Sequence, residues 1–474
     1  MTDDARSAAD PAGPRPADDP PPRPRTADDA PPRPRTAAEL RRHGPTTADA
    51  AVRVYAETVT AELAGQRDRW RHGFTRRRVL AGAGAVGVAS LAGQVATTRV
   101  SFAAPGTGNR TLVVVFLRGG MDGLSVVVPR GDRNYLNARR GIAVPAGALI
   151  AGDGRFGLHP ALAPLERFWS AGTMAAVHAV ASPDASRSHF QAQDCLERGA
   201  ASTAVHTGWL DRVLTALGPG TTFRAIAEGA ALPRSLVGGE SKLVLRGIRD
   251  YDLAEHGAPR DRTLTALRAL YTGLGEHPLA TQAEETLRSV AAARKIAAGS
   301  YRSTARWPGG GFADQLRDVA RLIQAKVGLR VAAIDIGGWD MHTNIGGPDG
   351  GDMRNRLTEL AGALGAFATD LGPALDDVTV VTMSEFGRRV EANGNSGTDH
   401  GHGGLMMLLG GGMNGGRVHG RWPGLAPGAL EQGDLAGAND YRDVLAELLR
   451  ARLGIADAKK IFPGLQQRAI GVFR

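Results

Sequence analysis

Three potential metal ligands fall within four residues at Asp399-His400-Gly401-His402, preceded by a Gly/Asn-rich loop at 393–397 and followed by Gly403 and Gly404. Imidazole nitrogens and a carboxylate spaced by glycine suit a loop that closes its backbone around an ion. Further groups of the same chemistry are Asp122 in RGGMDG, Asp340 and His342 in GGWDMH, and Glu385 in SEFGR. This mixed carboxylate and imidazole set fits one or two divalent ions, zinc first and manganese or iron as alternatives, better than an all-oxygen calcium cage. It also permits a dinuclear site of the kind used on phosphate esters. Several members have ordinary roles available: Asp122 as a turn residue, Asp340 and His342 as caps or loop hydrogen-bonders. Two histidines bracketing one glycine beside an aspartate are not explained by turn chemistry. His159, His178, His206 and His419 lack acidic or Gly-rich neighbours of this kind and read as structural, and Trp339 reads as core.

The groups must be held by something, and strand-like runs precede most of them. Residues 111–117 (TLVVVFL) form a continuous β-branched apolar run, the mark of a strand covered on both faces, and break at once into Arg118 and the glycines around Asp122. Residues 329–336 (LRVAAIDI) lead into Asp340 and His342, and 378–383 (VTVVTM) into Ser384-Glu385-Phe386. Between them, 353–371 has apolar residues at helical spacing, so strand, helix and strand read as a βαβ unit. A weaker strand at 173–180 precedes Ser186-Arg187-Ser188-His189. In open α/β sheets, ligands gather beyond the carboxyl ends of strands, where these residues stand.

The preceding hundred residues are an address and its approach. TRRRVL at 75–80, an uncharged Ala/Gly/Val stretch at 79–96 and the small residues around Ser101-Phe102-Ala103 form a twin-arginine signal with cleavage expected after Ala103. The alternative, a short membrane anchor, is a poor one because of its Gly and Ala content, and no stable span is expected after cleavage. Upstream, ADDPPPRPRT and ADDAPPRPRT repeat within 17–36, a composition expected to stay extended or disordered, and 46–70 loosens into a possible short helix. A mis-assigned start is the rival reading of 1–74, since no methionine falls between Met1 and Met121. From Ala104 onward, 41 basic residues face 36 acidic ones, and no basic stripe is interleaved with aromatics, so nucleic acid is not expected as a partner. The single Cys195 excludes an internal disulfide framework, and stability must come from a core.

RGGMDGLS, SRSHFQAQDCLERG, GGWDMHTN, MSEFGRR and TDHGHGG, in this order behind a twin-arginine signal, resemble an exported bacterial family defined as a domain of unknown function and placed in the alkaline phosphatase and sulfatase superfamily. The likeness runs from about Thr111 to the C-terminus and includes GWLDR at 208–212 and DYRDVLAELL at 440–449. It implies an alkaline-phosphatase-like α/β fold over 104–474: a largely parallel sheet with helices on both faces and a helical insertion at about 219–312. It implies Asp122 as a metal ligand and Ser188 (alternatively Ser186) as nucleophile, with His189 beside it. Asp340 with His342, and then His400 or His402, would be further ligands, and Arg118 or Arg187 an anion clamp. The superfamily's Asp-His after the 378–383 strand is replaced by Glu385-Phe386. Glu385 can stand in for the aspartate, but Phe386 cannot ligate, so Asp399 and His400 supply the missing ligands or one metal site is depleted. The implied activity is metal-dependent hydrolysis of small phosphate or sulfate esters after export by the twin-arginine translocase. The alternative is an extracytoplasmic binding or assembly protein with an envelope partner and no turnover.

Overall fold

A computed structural model of the chain describes residues 110–249, 278–299 and 301–474. The repeats, the 46–70 helix and the signal lie outside the described residues. Among the described residues, nine strands form the main sheet: β1 (Thr111–Leu117), β2 (Met174–Ala181), β3 (Ala225–Glu228), β4 (Leu243–Leu245), β5 (Val331–Ile336), β6 (Val378–Met383), β7 (Gly404–Gly410), β8 (Val418–His419) and β9 (Asn439–Asp440). Their order is β8-β2-β7-β6-β1-β5-β3-β4, with β9 also beside β2. All neighbouring pairs are parallel except those of β7, which runs against both β2 and β6.

β1 sits near the centre because its sequence offers apolar surface on both sides. Val113, Val115 and Leu117 face one core with helices α4 (Gly311–Gln324) and α5 (Asp352–Leu371). Leu112, Val114 and Phe116 face the other, with α2 (Trp209–Leu217) and α6 (Tyr441–Leu453). Each fully buried Val or Leu contributes about 1.5–3 kcal/mol, so this strand is held as firmly as any. Helix α1 (His189–Arg198) follows β2, starts at Ser188 and stops at Gly199, whose left-handed φ of 64° a larger side chain would adopt only with strain. Among the described residues, no helix is long and apolar enough to cross a membrane.

One expectation needs qualification. Within the segment 219–312, expected as a helical insertion, the described residues include β3 and β4 of the main sheet as well as helix α3 (Pro278–Ala298). AIAE and LVL are too short to show a strand period. The expected β5–α5–β6 unit forms, with β1 inserted between its two parallel strands.

The strand register sets up the site. Leu117 pairs with Ile336, and Phe116 with both Asp335 and Met383, so the turns after β1, β5 and β6 leave the sheet side by side. β2 runs parallel to these strands, and the reversed β7 begins at Gly404, opposite Val180 near the carboxyl end of β2. The loop carrying Asp399, His400 and His402 therefore crosses the same edge on its way into β7.

Candidate metal centre and active site

Four side chains able to ligate a metal converge at this edge. His189 Nε2 lies 3.4 Å from Asp340 Oδ2, and the Nε2 atoms of His342 and His400 lie 3.2 and 3.3 Å from Asp340 Oδ1. His342 and His400 approach each other Nε2 to Nε2 at 3.0 Å. His189, Asp340 and His400 form a group able to hold a metal ion, their ligand atoms all within 4.8 Å of one another.

The other ring nitrogen of each histidine is occupied by an acceptor. His189 Nδ1 donates to Glu385 Oε1 at 2.8 Å, His342 Nδ1 to Asp399 Oδ1 at 2.9 Å, and His400 Nδ1 to the Arg187 carbonyl at 2.9 Å. A carboxylate or carbonyl can only accept, so each Nδ1 carries the proton and each Nε2 of a neutral ring presents a lone pair. Lone pairs facing each other and a carboxylate repel unless a cation lies among them. The Nε2 of His189 is buried and has no hydrogen-bond partner. A zinc ion with donors at about 2.0–2.1 Å spaces tetrahedral ligands about 3.3 Å apart, close to the observed 3.0 to 3.4 Å. Orientation through Nδ1 is also what metal-binding histidines generally need. The donor set fits an ion.

Electrostatics favour the ionised carboxylates around the cluster and, at His400, the neutral ring. Burial pushes the Asp340 carboxyl up, but the Arg388 guanidinium at 2.6 Å, with His400 and His189, brings it below its ordinary range. Burial likewise pushes Glu385 up, and hydrogen bonds from Gln193, backbone N–H groups and His189 more than reverse it. Burial lowers His400 and so favours its neutral form. Asp399 is held low by hydrogen bonds from Asn393 and His342. Phe386 forms a wall, its ring 4.7 Å from that of His400 and 4.9 Å from that of His189.

The remaining expected residues take other places. Asp122 is buried, caps the short helix Gly123–Val126 and pairs through both oxygens with Arg139; it also accepts from Ser125 Oγ at 2.7 Å. It is therefore a structural anion here and is not brought to the histidines. Glu385 and Asp399 stand behind His189 and His342 as acceptors instead of facing the centre. Glu385 Oε1 also accepts from Gly119 N and Gln193 Nε2. His402 is apart from the group, its Nδ1 on Glu431 at 2.9 Å. Arg118 is engaged with Gln193, Glu197 and Asp335 through one N–H of each guanidinium nitrogen. Ser188 is exposed, with no hydrogen-bond partner for its hydroxyl among the described residues, and its backbone N–H donates to Ser186 Oγ. His159 and His178 are buried and held neutral, each lowered to about 4 by desolvation, in keeping with structural roles.

Sequence reading missed the supports. Arg388 is fully buried and ties together Gly119, Gly120, Thr398 and Asp340. Gln193 joins Arg118 to Glu385, and Asn393 donates to Asp399 and to the His342 carbonyl. The one available signal for Gln193 was its spacing four residues after His189, on the same face of α1. Gly119 permits the tight approach: at φ 123°, a Cβ there would collide with the Asp340 backbone.

A mixed α/β sheet with, among the described residues, one His/Asp cluster beyond its strand ends defines an α/β protein with a candidate metal centre. The chain belongs to the family described as "Protein of unknown function (DUF1501)", whose profile matches residues 169–473. No curated protein matches its sequence. Among solved structures, it is similar to PsFucS1 sulfatase from Pseudoalteromonas sp. (12% identity, 77% of this chain and 73% of that one, TM-score 0.33). It is also similar to the C-terminal periplasmic domain of EcEptC from Escherichia coli in complex with zinc (8% identity, 66% and 77% covered, TM-score 0.30). A third is a protein in the alkaline phosphatase superfamily from Vibrio parahaemolyticus (10% identity, 68% and 67% covered, TM-score 0.28).

Proposed function

We propose that this protein is an exported, metal-dependent hydrolase of phosphate or sulfate esters. The observation that carries the reading is the convergence of three Nδ1-anchored imidazoles on Asp340. His189, Asp340, His342 and His400 would hold one divalent ion, zinc by the donor set. When bound, the ion supplies Lewis-acid stabilisation of charge developing on the ester's oxygens. Ser188, at the N-terminal end of α1 beside His189, is the nucleophile, and the positive end of the helix favours its anionic form. Arg187, anchored by Asp434 at 2.6 Å and more exposed than Arg118, has donors left for the anion. Glu385, Asp399 and the Arg187 carbonyl hold the three rings in the tautomer that leaves Nε2 free. Export rests on TRRRVL and the apolar stretch behind it.

A second reading, a non-catalytic extracytoplasmic binding or assembly protein, is favoured by the Ser188 hydroxyl, which has no base within hydrogen-bond reach among the described residues. Elemental analysis of the purified protein beside His400→Ala, with phosphate and sulfate ester assays of wild type and Ser188→Ala, decides between them. About one equivalent of metal lost in His400→Ala, with turnover abolished in Ser188→Ala, supports hydrolysis. Metal without turnover supports the binding protein, and a well-folded wild type that takes up no metal removes the hydrolase.

A further inference from the structure

The first turn of α1 carries a side chain that hydrolysis at the centre does not use. Phe190 follows His189 directly and is 90% exposed, far more than the other exposed large apolar residues among those described, Leu136 and Leu232. A lone exposed apolar residue is common on a protein surface, so position must decide whether this one matters. Its helix is anchored from below by buried Ala192, Cys195 and Leu196, so the ring stands on a rigid support. It lines a cleft of about 680 Å³ whose other walls include Gln193, Asp194, Ser202, Thr203 and Arg234. Arg234 is held to Asp194 at 2.9 Å. Gln193 belongs to both cleft and centre: its amide donates to Glu385 Oε1 at 2.9 Å, and Glu385 in turn positions His189. Cleft and centre are thus separated by one helical turn.

The lining restricts what fits. An acyl chain would cover the Ser202 and Thr203 hydroxyls and the Asp194–Arg234 ion pair without offering them a polar partner, which costs free energy for each group taken out of water. A bare anion would leave the Phe190 ring in water. A saccharide ring meets both demands, because its C–H face lies on an aromatic ring while its hydroxyls exchange hydrogen bonds with amide, carboxylate and hydroxyl groups. We infer that the cleft binds a saccharide ring stacked on Phe190, so that the ester brought to the centre is one of a sugar hydroxyl. The ester half of this inference rests on the hydrolase reading; the binding half does not. In the overall reaction, water supplies a hydroxyl to phosphorus or sulfur, the P–O or S–O bond to the sugar breaks, and the sugar oxygen leaves with the proton.

The test applies labelled wild-type protein, Phe190→Ala and Phe190→Trp to a printed array of unmodified, phosphorylated and sulfated saccharides, with wild-type turnover of 4-nitrophenyl phosphate and sulfate measured in parallel. Circular dichroism checks that each variant is folded. Wild type should bind a subset of the saccharides, Phe190→Trp should retain that binding, and Phe190→Ala should weaken it about tenfold, the scale of one aromatic stacking contact. If saccharides bind and Phe190→Ala loses them while no ester is turned over, the cleft assignment stands and the hydrolase reading falls. Turnover of the 4-nitrophenyl esters with no saccharide bound, or with equal binding in Phe190→Ala, overturns the cleft assignment and leaves the hydrolase reading intact. A wild type that does neither overturns both.

Discussion

Two aspartates follow a Gly-Gly pair at neighbouring strand ends, and each is paired with a buried arginine, yet they do different work. At the turn after β1, Asp122 and Arg139 are both buried, and every oxygen of the carboxylate is spent on Arg139, Ser125 or the helix it caps. At the turn after β5, Arg388 is as deeply buried as Arg139, but the Asp340 side chain is 47% exposed and faces three imidazoles. A carboxylate whose partners are all internal is a brace. One whose guanidinium partner is fixed from behind while its other side stays accessible is a ligand in waiting. The same ion pair thus serves structure or chemistry according to which side of it remains open.

The largest effect that sharpens this contrast should come from Asp122→Ala. It strands the buried Arg139 charge, and removing one partner of such a pair costs about 3–5 kcal/mol. Chemical denaturation should show that loss, while the fraction still folded keeps its metal; loss of metal from folded protein would put Asp122 in the centre after all. His400→Ala should do the reverse, abolishing stoichiometric metal uptake in elemental analysis while leaving metal-free stability within about 1 kcal/mol of wild type. A smaller effect is expected of Glu385→Gln, which keeps the shape but weakens the acceptor behind His189. Metal affinity measured by competition with a chelator should fall about 10–100-fold, and an unchanged affinity would remove Glu385 from its positioning role.

The subtlest prediction concerns a buried carboxyl with no arginine at all. Glu228, at the end of β3, has neither oxygen hydrogen-bonded, and burial, helped by the nearby Asp318 charge, raises it to about 8. The folded state therefore keeps this proton while the unfolded chain releases it near the ordinary glutamate value. Stability from this group is full below that ordinary value and is lost as pH rises towards about 8. Glu228→Gln should flatten the decline in thermal midpoint between about pH 5 and 8, and an unaltered slope would show that Glu228 ionises as readily folded as unfolded.

Much of the frame was legible in the sequence, for identifiable reasons. The β-branched runs of β1 and β6 gave their limits directly, and α5 was visible in its repeating leucines. β7 was not foreseen because GLMMLLG contains no β-branched residue and is built from good helix formers. Without that reversed strand, the sequence could place Asp399 and His400 after β6 but could not say which edge they return to. Asp122 and Asp340 looked alike because the distinguishing partners, Arg139 and Arg388, are ordinary arginines until the fold places them. The partners of Arg118 were equally illegible: its bonds to Glu197, Gln193 and Asp335 are a tertiary fact.

The reversed strand also fixes when the cluster can exist. His400 reaches the Arg187 carbonyl across 213 residues of chain and His342 across 58, and both contacts wait for β7 to enter between β2 and β6. Closing loops of that length comes late, after the local contacts that reward early order. The cluster is thus a property of the closed sheet edge, built from contacts far apart in sequence, and loss of β7 from between β2 and β6 should disperse it.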